Sequence, residues 1–326
     1  MLKAEYKERG PVPQDVIEAV EFTAPAPQHD EILVELQASP INPSDVLTLT
    51  GLYGILPPLP AIGGNEGVGK VVSVGEKVEH FKPGQSVLLP VGIGTWSTHI
   101  VAPAKKFIPL PDGADPQQLS MLSINPPTAS LMLSEFMPLK EGDWVIQNAA
   151  NSAVGNYLIQ LARLRGLKTV NIVRRESLIE PLTKAGADVV LVDGDDLVKR
   201  VRKATEKAEI QLAIDAVGGT ASNRLADCLA SQGTLVNYGM MSGEAAQVSS
   251  ANLIFKDITV KGFWLAIWFQ RATKEAQQAL YNELAMLIAT GKLKAPIDRI
   301  YKVAEIKDAV AYAAQGERNG KVLITA

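Results

Sequence analysis

A turn between an apolar strand and an amphipathic helix has the residue types that bind a pyrophosphate. Where the G-x-G-x-x-G pattern has its three glycines, this chain has Ala150, Ser152 and Gly155. Small residues permit a tight turn, and the N–H groups and dipole of the following helix favour negative charge. The stretch from Trp144 to Arg175 therefore predicts a strand, turn, helix and strand that bind a dinucleotide. An ordinary βαβ unit without a ligand is the alternative.

The second strand of this unit ends in two arginines, Arg174 and Arg175. An acidic residue about 20 residues after the glycines binds the ribose 2′-hydroxyl of NAD, whereas an arginine accommodates a 2′-phosphate. The fixed charge and planar fork of a guanidinium suit a phosphate group. The pair favours NADPH over NADH, and we expect one of the two arginines to be a solvated loop cation.

Tyr53 lies in a long, proline-rich segment from Ser39 to Asn65 that also contains Asn42 and Asp45. Long ordered loops on a rigid scaffold often line sites. Composition alone favours a packed aromatic side chain at Tyr53 over a catalytic one.

The elements that must position these residues follow two patterns. Up to about Pro111 the chain has short strands separated by Gly and Pro, which predicts a partly open antiparallel barrel. From Trp144 to Trp264 strands alternate with helices, which requires a doubly wound parallel sheet. Gly67 and Gly69 begin a strand and not a helix, so we interpret them as sites of close backbone packing.

Composition disfavours several classes of protein. The net charge is −3 and neither sign is strongly clustered, so the electrostatic footprint of a nucleic-acid-binding protein is missing. No apolar run approaches the roughly 20 residues of a membrane span, and the first residues have neither a signal core nor a transit-peptide composition. We therefore expect a cytoplasmic protein with no nucleic-acid or membrane partner.

Metal and hydrolytic chemistry are also disfavoured. Cys228 is the only cysteine, and the three histidines are isolated from one another. Because a catalytic zinc ion needs several converging N, S or O ligands, no metal site is expected. No G-x-S-x-G elbow is present, and Glu66 is interpreted as a surface or structural carboxylate.

Several short strings along almost the whole chain carry a family resemblance. They are Asn42-Pro43-Ser44-Asp45, Gly51-Leu52-Tyr53-Gly54, Gly63-Gly64-Asn65-Glu66-Gly67, Gly94-Thr95-Trp96, Asn125-Pro126 with Thr128-Ala129, Gln147-Asn148-Ala149 with Asn151-Ser152, Leu253-Ile254-Phe255-Lys256-Asp257 and Gly262-Phe263-Trp264. The chain resembles the zinc-independent, quinone oxidoreductase-like branch of the medium-chain dehydrogenase/reductases, most closely the mitochondrial-type trans-2-enoyl thioester (enoyl-CoA/ACP) reductases. In zinc-dependent relatives a Cys and a His occupy the places of Asn42 and Asn65.

The resemblance implies an α/β chain of two domains. A GroES-like β-barrel catalytic domain would occupy residues 1–121 and a Rossmann domain with a doubly wound parallel sheet residues 122–265. A C-terminal segment, residues 266–326, would return to the catalytic domain. Homodimers joined through the edge strands of the Rossmann sheet are common in the family, and such pairing would cover an exposed edge.

The resemblance also implies hydride transfer from NADPH to the β-carbon of an α,β-unsaturated carbonyl, most closely a trans-2-enoyl thioester of CoA or acyl carrier protein. Tyr53 matches the catalytic tyrosine, which would donate to the enolate oxygen or give up its proton. Support around the nicotinamide and substrate would come from Asn42, Asp45, Asn125, Thr128 and Trp264. The cofactor-binding residues would be Asn151, Ser152, Ala153, Val154, Gly155, Arg174 or Arg175, Tyr238, Gly239, Met240 and Phe263.

Two residues depart from the family pattern, and two other functions stay open. Ala153 replaces a usual glycine and adds a methyl group near the phosphates, and Arg175 replaces a common acidic residue and makes the pocket more basic.

An NADPH:quinone oxidoreductase or general enone reductase needs the same cofactor site but no specific tyrosine. A non-catalytic NADPH-sensing protein would bind the cofactor without turnover.

Overall fold

The computed structural model describes residues 1–316 and 318–326. By their packing these residues form two compact units. The first contains Met1–Ile124 and Ala279–Ala326, and the second contains Asn125–Gln278. The polypeptide thus leaves the first unit once, forms the second, and then returns to the first.

Strands and helices occur in both units. In chain order the strands are β1 (Leu2–Tyr6), β2 (Ile17–Glu21), β3 (Glu31–Pro40), β4 (Ala61–Ile62), β5 (Val68–Val74), β6 (Ser86–Leu88), β7 (His99–Pro103), β8 (Ile108–Pro109), β9 (Trp144–Gln147), β10 (Lys168–Val173), β11 (Val189–Val192), β12 (Ile210–Asp215), β13 (Thr234–Asn237), β14 (Thr259–Gly262), β15 (Ile297–Lys302) and β16 (Lys321–Thr325). The α-helices are α1 (Pro13–Val16), α2 (Pro43–Thr50), α3 (Pro116–Leu119), α4 (Asn125–Met132), α5 (Ala153–Leu164), α6 (Ile179–Lys184), α7 (Leu197–Ala204), α8 (Gly219–Cys228), α9 (Ser250–Phe255), α10 (Leu265–Arg271), α11 (Lys274–Ala289) and α12 (Ile306–Ala314). Within the described residues, no helix combines the length and the apolar character that a membrane span requires.

The first unit is built around β3. Its side chains alternate between buried and half-buried up to Ala38, which is the pattern of a strand with one face on a core. The main sheet has the order β15-β16-β3-β5-β6-β8, with β7 also paired to β3, and a smaller sheet has the order β2-β1-β4. Buried side chains from both sheets and from α12 form one core. The late strand β16 is therefore an internal strand of this sheet.

The glycines at the start of β5 lie where two strands come very close. A Cβ atom at Gly69 would lie 2.2 Å from Cγ1 of Val34, and one at Gly67 would lie 2.8 Å from the carbonyl oxygen of Ala38. The structure therefore agrees with the interpretation that these glycines serve backbone packing.

The second unit contains a six-stranded sheet of the order β11-β10-β9-β12-β13-β14. Every neighbouring pair in it is parallel. Counted from the first strand of the unit, the order is 3-2-1-4-5-6, which is that of dinucleotide-binding Rossmann folds. The predicted doubly wound parallel sheet is confirmed. Ligands of such sheets bind beyond the carboxyl ends of the strands, where the strand order reverses between β9 and β12.

The sequence predicts one long loop from Ser39 to Asn65, and this prediction is wrong because α2 lies within it. Proline breaks a helix interior but is favoured in the first turn, where Pro43 stands. Gly51, with a φ of 80°, ends the helix in the left-handed conformation. Tyr53 therefore lies just past a helix end and not in the middle of a loop.

Candidate active site

The turn after β9 packs so closely that Gly155, the third of its three small residues, cannot be replaced without overlap. The N-cap of α5 is Ser152, whose Oγ accepts a hydrogen bond from the N–H of Gly155 at 3.1 Å. A Cβ atom at Gly155 would lie 2.4 Å from the carbonyl oxygen of Ala150. Ala149 has a φ of 46°, in the left-handed region that costs a residue with a Cβ atom. A tight turn of small residues at the N-terminus of a three-turn helix fits a pyrophosphate.

Replacing Gly155 by alanine is expected to lower the midpoint of thermal unfolding and to weaken NADPH binding, because the new methyl group would overlap Ala150. Overpacking of this kind costs about 1–3 kcal/mol. The matched control is Gly316→Ala, since a Cβ atom there would meet nothing within 4 Å. Equal midpoints for the two variants, measured by circular dichroism, would contradict the close packing of the turn.

The buried carboxylate of Asp215 ties together the carboxyl ends of three neighbouring strands. Asn148 Nδ2, just past β9, donates to its Oδ1 at 2.6 Å, and Asn237 Nδ2, in β13, donates to its Oδ2 at 2.9 Å. Ser222 Oγ and two backbone N–H groups of the following turn also donate to it. This network is not among the predictions from the sequence, although an aspartate that ends an apolar strand of a doubly wound sheet is its signal. The network fixes the edge of the sheet that carries the turn after β9.

Two aromatic residues that were predicted to line the nicotinamide half lie at the same edge of the sheet. The N–H of Tyr238 donates to the carbonyl oxygen of Asp215 at 2.9 Å, and its phenol is hydrogen-bonded to Ser152. Burial raises the pKa of Tyr238, so the phenol is protonated at neutral pH. The ring of Phe263 packs edge-on against that of Phe136, with centroids 5.9 Å apart.

The other residues predicted for this part of the site differ in burial. Gly239 packs on the neighbouring strand end, since a Cβ atom there would lie 2.6 Å from the carbonyl oxygen of Ala216. Met240 is exposed and Trp264 is half-buried at the N-cap of α10. Asn125 and Thr128 are buried on the first turns of α4.

The two arginines after β10 stand beside an acidic residue that is already paired. Arg174 is exposed, and Arg175 is half-buried and has contacts of its own. The N–H of Asp193 donates to the carbonyl oxygen of Val173, the residue before Arg174, at 2.8 Å. Its carboxylate accepts hydrogen bonds of 2.7 and 2.6 Å from the guanidinium of Arg224. This bidentate pair offsets the negative charge beside the place expected for the 2′-phosphate.

In the first unit, Tyr53 lies just past the C-terminal end of α2. The N–H of Tyr53 donates to the carbonyl oxygen of Leu47 at 3.2 Å, and the residue is half-buried. The segment around it exposes the large apolar side chains of Leu52, Ile55, Leu56 and Leu59. A phenol among exposed apolar side chains suits a substrate with a carbonyl group and an acyl chain.

The N-terminus of α2 lies in a buried polar cluster. Asp45 accepts hydrogen bonds of 2.7 Å from the N–H of Asn42 and from Nδ2 of Asn65. Asn42 Nδ2 donates to Oε1 of Glu66 at 2.7 Å. Glu66 is 0 % exposed, so it is structural and not a surface residue. Burial raises the pKa of Asp45 to about 6 and that of Glu66 to about 7.

A buried lysine, Lys321 of β16, completes this cluster. It is 6 % exposed, and its Nζ donates to Oδ1 of Asn42. Burial lowers its pKa to about 8, while the nearby Glu66 and Asp45 act in the opposite direction. Lys321 is not among the site residues predicted from the sequence.

The cluster predicts a specific pH dependence of stability. Asp45 and Glu66 bind protons more tightly in the folded than in the unfolded chain, so their contribution is complete below about pH 4 and is lost as the pH rises to about 7. We expect the free energy of unfolding of Glu66→Gln, measured in urea, to fall less than that of the wild type between these pH values. A parallel pH profile for the two proteins would contradict the burial of an ionisable Glu66.

Comparison with known proteins gives the family. Residues 28–112 match the family described as "Alcohol dehydrogenase GroES-like domain", and residues 153–281 match the one described as "Zinc-binding dehydrogenase". The chain is 40% identical over 277 residues to the mitochondrial enoyl-[acyl-carrier-protein] reductase of Caenorhabditis elegans, over 83% of this chain and 79% of that protein. The chain belongs to the zinc-independent medium-chain dehydrogenase/reductases. Its place in the branch of enoyl and quinone reductases confirms the resemblance found in the sequence.

Solved structures of the medium-chain dehydrogenase/reductases are similar to this chain over its whole length. The complex of Etr1p with NADP and crotonyl-CoA is 29% identical, covers 100% of this chain and 99% of its own, and has a TM-score of 0.89. The Escherichia coli quinone oxidoreductase complexed with NADPH is 28% identical, covers 100% of both chains, and has a TM-score of 0.85. The GroES-like and Rossmann parts predicted for this medium-chain dehydrogenase/reductase are thereby confirmed.

The two places where zinc-dependent relatives have a Cys and a His hold amide side chains in this medium-chain dehydrogenase/reductase. Asn42 is bound by the ammonium of Lys321 and the carboxylate of Glu66, and Asn65 donates to Asp45. In the part of the chain that the structure describes, no group of three or more His, Cys, Asp and Glu could hold a metal ion. The ammonium of Lys321 thus contacts the side chain of Asn42, which occupies the place of a metal ligand in the zinc-dependent relatives.

Proposed function

We propose that this protein is an NADPH-dependent reductase that delivers hydride to the β-carbon of a trans-2-enoyl thioester. The observation that carries the proposal is Tyr53, which stands past the end of α2 among exposed apolar side chains. The names of the relatives support it, since one is an enoyl-[acyl-carrier-protein] reductase and another binds NADP and crotonyl-CoA.

The residues of the second unit would bind the cofactor. NADPH supplies the hydride when it is bound. The turn Asn151–Gly155 and the N-terminus of α5 bind its pyrophosphate, and Arg174 or Arg175 binds the 2′-phosphate. The nicotinamide wall is formed by Tyr238, Gly239, Met240, Phe263 and Trp264.

Tyr53 would act on the substrate. As the β-carbon accepts hydride, negative charge develops on the thioester carbonyl oxygen, and a donor already aimed at that oxygen stabilises the charge. The phenol of Tyr53 is this donor, and it can give up its proton as the enolate is protonated. Asn42, Asp45, Asn125 and Thr128 have supporting roles. The carrier of the acyl group is CoA or acyl carrier protein.

The test is NADPH oxidation by the purified protein with trans-2-hexenoyl-CoA and with an ortho-quinone, measured in parallel. The proposal predicts fast turnover of the thioester. Turnover of the quinone alone would make the protein a quinone oxidoreductase, as the structural likeness to the E. coli enzyme also allows. Binding of NADPH without any turnover would identify an NADPH-sensing protein.

We further propose that the protein forms homodimers through β14. This strand is the edge of the parallel sheet and all four of its residues are exposed. Leu253, Ile254 and Phe255 of α9, which precedes it, are also exposed. A sheet edge with exposed apolar side chains is a template for pairing with a second copy.

Replacing Val260 of β14 by lysine is expected to convert the dimer to a monomer, because a charge would be placed at the paired edge. The matched control is Val72→Lys in β5, since Val72 is 44% exposed and Val260 is 42% exposed. Analytical ultracentrifugation measures the outcome. A wild-type monomer, or equal dissociation in both variants, would contradict the proposed interface.

The compartment stays a prediction. The sequence predicts a cytoplasmic protein, whereas the relative named above is mitochondrial. Imaging of a fluorescent fusion in the source cells distinguishes the two compartments.

A further inference from the structure

The strand β16 lies beside the N-terminus of α2 in the first unit. β16 runs antiparallel to β3, with Leu323 opposite Pro40 and Ile324 opposite Ser39. The N–H of Ile41 donates to the carbonyl oxygen of Val322 at 2.9 Å. This pairing brings the first residue of β16 beside the N-cap of α2.

The ammonium of Lys321 contacts Asn42, which is only 2 % exposed. The amide of Asn42 lies between two opposite charges, with Oδ1 on the ammonium and Nδ2 on the carboxylate of Glu66. One orientation of the amide satisfies both partners, so the pair of charges fixes the side chain.

Three further hydrogen bonds anchor this region. The carboxylate of Asp45, in the first turn of α2, accepts hydrogen bonds from the N–H of Asn42 and from Asn65. Glu66 Oε2 also accepts a hydrogen bond of 3.0 Å from the N–H of Ile124, the last residue before the chain enters the second unit. The start of α2 is therefore held on several sides, while Tyr53 at its other end is half-buried.

We propose that Lys321 is a positioning residue, which fixes the N-terminus of α2 through Asn42 and thereby the place of the Tyr53 phenol. The proposal rests on the proposed reductase function of Tyr53. Because α2 is a short, stiff element, a shift at its N-cap is transmitted to its end. A displacement of about 1 Å is enough to lower a rate by about 10²-fold.

The main variant is Lys321→Met, which keeps the length of the side chain and removes the charge. We expect kcat with trans-2-hexenoyl-CoA to fall by about tenfold or more, while the KM for NADPH changes less than about twofold, since the cofactor residues belong to the second unit. Lys302→Met, at an exposed lysine of β15, is the matched control and should keep the wild-type kcat.

A second variant separates positioning from stability. Lys321→Met combined with Glu66→Gln removes the ammonium together with one of the two buried carboxylates near it, and neutral replacement of a buried ion pair often restores stability. We expect the unfolding midpoint of this double variant to recover while kcat stays low, because the ammonium on Asn42 is still missing. Recovery of kcat together with stability would overturn the proposal.

Fluorine NMR of protein labelled with 3-fluorotyrosine tests the position of Tyr53 without any turnover. The chain has seven tyrosines, and the Tyr53→Phe spectrum identifies the resonance of Tyr53. We expect Lys321→Met and the double variant to shift or broaden this resonance and to leave those of Tyr157 and Tyr238, in the second unit, unchanged. An unmoved Tyr53 resonance in a folded variant would overturn the proposal. Absence of thioester turnover in the wild type would instead overturn the proposed function.

Discussion

Replacing Tyr53 by phenylalanine is expected to lower kcat/KM for trans-2-hexenoyl-CoA by about 10²-fold to 10³-fold, because removal of one donor to a developing oxyanion has an effect of this size. The dissociation constant for NADPH, measured by fluorescence titration, should be unchanged, since the phenol is not among the cofactor-binding residues. Loss of the hydroxyl leaves the aromatic ring in place, so the variant tests the donor and not the packing.

The control for this substitution is Tyr301→Phe, which removes the hydroxyl of another half-buried tyrosine of the first unit. It should have the wild-type rate. Full thioester activity in Tyr53→Phe would remove the tyrosine from the mechanism. Unchanged quinone turnover in that variant, together with low thioester turnover, would show that only the thioester reaction needs the phenol.

The double substitution Arg174→Ala and Arg175→Ala is expected to weaken NADPH binding by roughly 10-fold to 100-fold and to leave NADH binding nearly unchanged. Charge-assisted hydrogen bonds are worth about 1.5–3 kcal/mol, which corresponds to this range. The preference for NADPH should therefore nearly disappear. The two single variants show which arginine binds the 2′-phosphate.

Arg202→Ala is the control for these variants, because Arg202 is an exposed cation of α7. It should change the affinity for both dinucleotides equally or not at all. A double variant that still binds NADPH much more tightly than NADH would assign the selectivity to other residues.

The sequence predicted those features that depend on local patterns. The parallel sheet follows from apolar strands that alternate with amphipathic helices, and the turn that precedes α5 follows from the spacing of small residues. The helix α2 was missed because eight residues that begin with a proline and end before a glycine give little periodicity. Because α2 ends just before Tyr53, this residue follows a helix and not a loop. The choice of Tyr53 itself rested on the family resemblance.

The buried cluster could not have been predicted from local patterns. Lys321 and Asn42 are 279 residues apart in the sequence, and only the pairing of β16 with β3 brings them together. A lysine at the start of an apolar strand is normally solvated, so its sequence context points to the surface. Asp215 itself has a local signal at the end of an apolar strand, but its partners could not be predicted for the same reason, because they come from separate strand ends.

The internal position of β16 has a consequence for the order of events during synthesis. The second unit is continuous in sequence and can fold as soon as it has left the ribosome. β7 pairs with the first half of β3, but Ser39 and Pro40 at the end of β3 lack a partner until residues 321–325 have been made, because they pair with Ile324 and Leu323 of β16. The end of β3 next to α2 therefore stays unpaired through most of translation, and chaperones are suited to protect such an exposed strand end.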